Sequence, residues 1–368
     1  MIYTLEVNFG GGIYVQLSEI LHKAGIKFET LTYDVGNQLH SVSIDNNILD
    51  FVKSKVTKDD TLIMESSYLF SSTKGDFNFD VLDTLPCRVF VLHSESNFVD
   101  NPNVFSPHYD LEDKLDLTIP NFYLLNFGLS KHRWITHSLF ERYQNMFRDK
   151  IFYSTNGVFK GHRTLLYSLL KENNLLKDTY FSYQAYSNID EDYETHFKNL
   201  NITNPITEKY FENIKKNLPI TLDYLWHGTV DQASVTLPYT TNSYVSLVCC
   251  TNYETTKEVY TSEKIFKPFF SFHIPIFFGV RGLHKVLKKL GFYLFEDLID
   301  LSFDDIHDNG ERMYSAFDQA INIKSIGREQ LHTYYVEKHN ELLHNFNLLR
   351  KLSDGQLENL NKLIYDNK

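Results

Sequence analysis

Two adjacent side chains of opposite charge, Glu263 and Lys264, sit in the segment Tyr260-Thr-Ser-Glu-Lys-Ile-Phe-Lys-Pro268, which runs directly into Phe-Phe-Ser-Phe-His-Ile-Pro-Ile-Phe-Phe-Gly279. The pattern reads as a strand end, a helix start, a short helix and a buried strand closing on glycine. Thr261 or Ser262 is placed to cap the helix, with the following amides pointing outward. Such a helix start favours an anion, and Lys264 adds a mobile positive charge beside it. Glu263 is odd in a pure phosphate cradle, but a carboxylate suits a ligand that also presents paired hydroxyls, as a ribose does. The stretch therefore reads as able to hold a ribose and a diphosphate together. The plain alternative is a solvated ion pair at a helix start.

The elements that must position this segment alternate strand and helix. Lys150–Gly157 reads as a strand and Gly161–Lys171 as a helix, followed by a strand at Tyr180–Tyr183 and an apolar strand at Tyr244–Cys250. Arg163 falls in the first turn of that helix, where a cation opposes the helix dipole unless an anion lies nearby. Asn156 and His162 share the neighbourhood. Nearer the amino terminus, a strand at Ile2–Val7 precedes Gly10-Gly-Gly12, a helical pattern over Tyr14–Ala24 and a strand at Ile26–Tyr33, a βαβ unit. Gly11 and Gly12 let backbone approach a ligand closely, although the spacing is not that of a dinucleotide fingerprint. Strands at Asp60–Met64 and Arg88–Leu92 end in polar residues, which puts Glu65, His93 and Glu95 where a general base would stand in an open α/β sheet. A strand is expected at Phe122–Phe127, a helix over Leu129–Arg148 linking two domains, and mostly helices from Asn309 onward.

The chain has 368 residues, enough for two domains, and is 42% hydrophobic with 23% charged residues, a globular composition. A formal net charge of -11 argues against a general binder of nucleic-acid backbone. Three cysteines, Cys87, Cys249 and Cys250, form neither a disulfide framework nor a zinc pattern, and fit a reducing cytoplasm. The sequence opens on a strand with no leader, and the apolar run from Phe269 to Val280 is too short to cross a bilayer, so no membrane is expected.

With these residues in view, Ser262-Glu263-Lys264 and the downstream Pro275-Ile-Phe-Phe-Gly279 resemble the donor-binding motif of the fucosyltransferase-type glycosyltransferases of phages and bacteria. The resemblance covers roughly residues 150 to 315, and the segment Leu283–Asp304 is similar to the carboxyl-terminal half of such enzymes. It implies an α/β fold of two Rossmann-like domains facing a cleft, the GT-B arrangement. The acceptor side is expected at 1–149, and the nucleotide-sugar side at 150–368 with its last helices bracing the first domain. It also implies transfer of a hexose or pentose from a nucleoside-diphosphate sugar to an acceptor hydroxyl, with no metal and no further cofactor. Arg163, Lys264 and the helix start would then take the diphosphate, and Glu263 the ribose, with Ser262, Asn156 and His162 close by. The acceptor is expected to be a glycan or a hydroxymethylated base in phage DNA. For DNA, Lys131-His-Arg133 and the trio Lys285, Lys288 and Lys289 offer local basic surface, though the trio also reads as a solvated face. Asp190-Glu-Asp192 matches a manganese-binding pattern but lies in a polar acidic stretch that reads as a solvated loop. The family carries an acid on the strand before the motif, where this chain has Val248-Cys-Cys-Thr-Asn252. That departure supports a second reading, an inert sugar- or nucleotide-binding protein of the same fold.

Overall fold

Short apolar strands alternating with helices produce two parallel sheets. The computed structural model describes residues 1–8, 16–34, 46–65, 84–92, 104–105, 108–110, 124, 137–184, 190, 192–200, 205–222, 238–253 and 258–366. They group into two units, one of Met1–His108, Asp116–Lys131 and Arg350–Lys368, the other of Tyr109–Leu115 and His132–Leu349. Among the described residues no helix is long and apolar enough to cross a membrane.

The first unit contains β1 (Ile2–Asn8), α1 (Gln16–Lys23), β2 (Glu29–Asp34), α2 (Asn46–Lys55), β3 (Thr61–Glu65), β4 (Arg88–Leu92) and β5 (Val104–Phe105). Its sheet runs β2-β1-β3-β4-β5, and the neighbouring strands pair in parallel, with Leu5 opposite Leu31 and Ile63 opposite Phe90. Leu62, Ile63 and Met64 are all buried, so both faces of the sheet are covered, as parallel sheets require. Leu17, Ile20, Leu21 and Ala24 form the buried stripe of the α1 segment. The strand expected from Ile26 begins only at Glu29, because Gly25 and Ile26 are used to stop the helix. Gly25 takes φ 72°, its amide donates to the His22 carbonyl, and the Ile26 amide reaches back to the Leu21 carbonyl at 2.9 Å. Leu124 is helical and buried, so helix replaces the strand expected over 122–127 at the one position of that stretch the structure describes.

β6 (His108–Asp110) falls at the first boundary between the units, and after Asp116–Lys131 of the first unit the chain enters the second again at His132. There follow α3 (His137–Tyr143), β7 (Lys150–Asn156), α4 (Gly161–Glu172), β8 (Thr179–Tyr183), α5 (Tyr193–Phe197), α6 (Pro205–Asn217), β9 (Ser243–Cys249) and β10 (Glu258–Tyr260). The order continues with α7 (Glu263–Phe270), β11 (Ile274–Phe278), α8 (Leu283–Lys289), α9 (Asn309–Ile326), α10 (Arg328–Glu337) and α11 (His339–Asp366). The sheet runs β11-β9-β7-β8 with every pair parallel. All residues of β9 and β11 are buried, which makes these strands the centre of the core. Stacked rings fill the space beside them: Phe269 on Phe292 at 4.1 Å, Phe140 on Phe272 at 3.9 Å and Phe272 on Phe346 at 4.7 Å. The helix expected to reach Arg148 stops at Tyr143, because Arg148 turns inward to the amino edge of the sheet. There its amide donates to the Tyr244 hydroxyl at 2.9 Å and its guanidinium to the Ser243 and Thr240 carbonyls and the Tyr335 hydroxyl. The carboxyl-terminal part of α11 belongs to the first unit, where Asn361 donates to the Ala24 carbonyl and the Tyr365 hydroxyl accepts from the Lys27 amide.

Candidate functional site

In the second sheet the chain leaves β7 through α4 to β8 on one side, then returns to lay β9 on the other side of β7. The carboxyl ends of β7 and β9 therefore flank the point where strand order reverses, the crevice where open α/β sheets bind ligands. β7 ends in Asn156, and β9 ends in Cys249 followed by Cys250.

Two helices start near this edge without a side-chain cap, α4 after Lys160 and α7 after Ser262. Ser262 occupies the cap position expected of it, but its hydroxyl makes no capping bond and is buried without a partner among the described residues. The first amides of both helices lack intrahelical acceptors, which leaves two sites of partial positive charge. Gly161 is required at the start of α4, since a Cβ there would lie 2.4 Å from the His196 carbonyl oxygen. Gly279, at the end of β11, would place a Cβ 2.9 Å from the Cys250 sulfur.

The charged groups converge on Cys250. Arg163 is only 2% exposed, so it is not the surface salt bridge its position in the sequence would also allow. One terminal nitrogen donates to the Val158 carbonyl at 2.9 Å, the other approaches the Cys250 carbonyl at 3.5 Å, and its Nε has no partner among the described residues. His162 is buried, and its Nε2–H donates to the same Cys250 carbonyl at 2.9 Å. Burial, then the neighbouring Arg163 and Lys160, push its pKa well below the ordinary value, so the ring is neutral and supports the strand end. Lys160, which the sequence reading missed, sends its ammonium to the Thr251 carbonyl at 2.8 Å and so ties the start of α4 to the turn after β9. From α7, Lys264 contacts the carboxylate of Glu263. Burial alone would raise the Glu263 pKa, but Lys264, then Lys267, and its own backbone amide outweigh that and hold it below the ordinary range. Burial raises the Cys250 thiol pKa, Cys249 and Glu263 raise it further, and Lys264 and Arg163 oppose them. The starts of α4 and α7 thus act on one strand end, with Lys160, Arg163 and Lys264 set, among the described residues, against the carboxylate of Glu263.

A hydrogen-bond relay fixes the start of α4. His196 Nε2 lies 2.9 Å from Thr164 Oγ1, which is 3.1 Å from the Tyr183 hydroxyl, and that hydroxyl donates to the Lys160 carbonyl and accepts the Lys160 amide. His196 comes from α5, whose cap is Asp192, accepting the Thr195 amide at 2.7 Å. Asp192 thus serves as a helix cap, Asp190 is exposed, and Glu191 lies outside the described residues. The relay is invisible in the sequence because its bonded members lie 19 to 32 residues apart along the chain and meet only through the β7-α4-β8 crossover.

In the first sheet the order reverses between β1 and β3. Glu65 closes β3 opposite Leu92 in β4, at the carboxyl edge. Gly11, Gly12, His93, Glu95 and the Lys131-His-Arg133 cluster lie outside the described residues, as does the side chain of Glu65. Of the basic trio on α8, Lys285 pairs with Asp305, and Lys288 with Glu296 at 2.9 Å.

No family model matches the chain, and no curated protein matches it. Among solved structures it is similar to a glycosyltransferase from Rickettsia africae ESF-5, with TM-score 0.42 and 12% identity over 100% of this chain and 99% of that one. A likeness at that score and identity fixes neither fold nor activity.

Proposed function

We propose that this protein is a glycosyltransferase that moves a sugar from a nucleoside-diphosphate donor to an acceptor hydroxyl. The observation that carries the reading is the cluster at the β7/β9 edge: a buried Arg163 with unused donors, Lys264 on an uncapped helix start, and Glu263 beside it. Cations and helix amides suit a diphosphate, whose negative charge grows as it leaves the anomeric carbon, and they stabilise that charge without reorganising. A guanidinium holds phosphate oxygens by two parallel bonds, and Lys264 supplies a point charge. Glu263 accepts from the ribose hydroxyls once Lys264 turns to phosphate. The three side-chain cations supply charge that a metal ion would otherwise bring, which supports a metal-independent reaction.

In this reading the two units form a GT-B pair, with the acceptor on the first and Glu65, His93 or Glu95 as its base. The acceptor is a glycan or a hydroxymethylated base in phage DNA, and the protein works in the host cytoplasm. Thermal shift with UDP, GDP and dTDP, followed by hydrolysis assays with the matching nucleotide sugars, tests it. Stabilisation by one nucleotide with slow hydrolysis of its sugar conjugate is the expected result. Stabilisation with no hydrolysis or transfer favours the inert binding protein, which the cysteines around the end of β9, in place of an acid, would suit. No stabilisation by any nucleotide overturns both.

A further inference from the structure

Asn156 closes β7 at the same edge and is 2% exposed. The orientation of its amide follows from its neighbours. Ser154 Oγ gives its one proton to the Leu247 carbonyl at 2.9 Å, so toward Asn156 it can only accept. The Ser182 carbonyl also can only accept. Both face Asn156 Nδ2, at 3.2 and 3.4 Å, which fixes the nitrogen on that side. Oδ1 is then an acceptor by necessity, and it is buried with no donor among the described residues. A buried acceptor left unmade is costly. Phosphate oxygens are acceptors too and cannot satisfy it.

We infer that Asn156 Oδ1 is a specificity-determining acceptor, taking a hydrogen bond from a hydroxyl or N–H group on the neutral part of the ligand whose diphosphate sits at the β7/β9 crevice. The inference rests on the proposed donor site and adds a selection rule to it. The crevice combines donors for an anion with an uncharged obligate acceptor, so a bare polyphosphate leaves Asn156 unmatched. A ligand that carries hydroxyls or a base beside its phosphates completes the set.

The test is calorimetric binding of inorganic pyrophosphate, UDP, GDP, dTDP and the three glucose conjugates to wild type and to Asn156→Ala. The expected result is a loss of about five- to tenfold for hydroxyl-bearing ligands, with pyrophosphate affinity unchanged. Loss already present with the free nucleotide places the donor group on the nucleoside, whereas loss confined to the glucose conjugate places it on the transferred sugar. Equal loss for pyrophosphate overturns the inference while leaving the diphosphate site standing, and wild type that binds none of the probes overturns both. Should Asn156→Ala fail to fold, Ser154→Ala keeps Asn156 in place but removes one of the two acceptors that orient it. It should show a smaller loss on the same ligands and none on pyrophosphate, and no ligand-selective loss in this variant refutes the inference.

Discussion

Replacing Arg163 by methionine separates a ligand-binding arginine from a structural one. The side chain is 2% exposed and, among the described residues, its hydrogen bonds go to the Val158 carbonyl at 2.9 Å and the Cys250 carbonyl at 3.5 Å. Removing it forfeits one well-formed hydrogen bond from a charged donor, about 1.5–3 kcal/mol. It also removes a buried charge that no described carboxylate pairs, and the desolvation of such a charge costs several kcal/mol. Methionine fills a similar volume. The two effects oppose each other, so unfolding free energy should stay level or rise by about 1–2 kcal/mol. Binding moves the other way, since deleting a buried charged donor from a ligand contact costs about 2–5 kcal/mol, a loss of roughly thirtyfold or more.

Arg312→Met is the control. That guanidinium donates to the Gly279, Ile306, His307 and Tyr253 carbonyls and to Asn309 Oδ1, so its loss should destabilise by about 3 kcal/mol or more without a ligand effect beyond that. Denaturant melts and calorimetry with pyrophosphate and nucleotides read both quantities. If Arg163→Met unfolds as easily as Arg312→Met and binds pyrophosphate like wild type, Arg163 is a structural residue and the reasoning fails.

Glu263, held below its ordinary pKa, contributes stability that is present above about pH 4.3 and lost as pH falls through its lower folded value. Lys264→Ala should weaken diphosphate binding and shrink the difference in melting temperature between pH 6 and pH 3.5. Burial, then Arg148, bring the His273 pKa down to about 3, so its neutral form is favoured in the fold. Stability should decline as pH falls below about 6.5, by at most about 1.4 kcal/mol per pH unit for this group, with a shallower decline in His273→Gln. Transfer or donor hydrolysis should survive EDTA; activity lost to EDTA and restored by manganese would promote Asp190 and Asp192 from loop and cap to ligands. Neutralising Lys285 and Lys288 should leave any affinity for duplex DNA, with or without hydroxymethylated bases, unchanged across a salt series, because their partners Asp305 and Glu296 already offset them. A steep salt dependence that disappears in that variant would refute this.

The alternation of elements in the second unit was legible because each strand is a short apolar run between turn residues. Gly161–Lys171 and Glu263–Phe270 announce themselves by glycine, serine and apolar spacing. Arg163 could be picked out as a cation at the wrong end of a helix, and Glu263-Lys264 as a pair at a helix start. What the sequence cannot carry is satisfaction. Nothing in Lys150–Asn156 says that Ser154 spends its proton on Leu247, so the orphaned Oδ1 of Asn156 appears only with the sheet. Lys160 reads as a loop lysine until the turn after β9 is placed beside it. The acidic stretch around Asp192 reads as solvated, yet it caps the helix that brings His196 against Gly161, a contact set by the crossover and not by local pattern. The strand boundary at Ile26 failed for a similar reason, since local apolar character does not reveal that the residue is spent on ending a helix.

Buried arginines at the two ends of β7 show how the sheet divides its work. Arg148 precedes the strand and Arg163 follows it, both are nearly fully buried, and both leave Nε without a partner among the described residues. The difference lies in the terminal nitrogens. Those of Arg148 meet two carbonyls and the Tyr335 hydroxyl, and the Tyr244 and Tyr335 rings lie 5.4 and 4.1 Å from its guanidinium carbon. Its charge is spent inside the fold, at the amino edge, where it adds to the effect of burial in keeping His273 neutral. Arg163 has one good bond and one marginal one, at the carboxyl edge, in company with Lys160 and Lys264. Keeping a costly, under-used cation at one edge while saturating its counterpart at the other is not explained by stability, since an apolar side chain of similar volume would serve the core as well. Under the proposed function it is explained by an anion bound at the carboxyl edge of β7 and β9, and the two helix starts and the acceptor on Asn156 would then say what else that anion must carry.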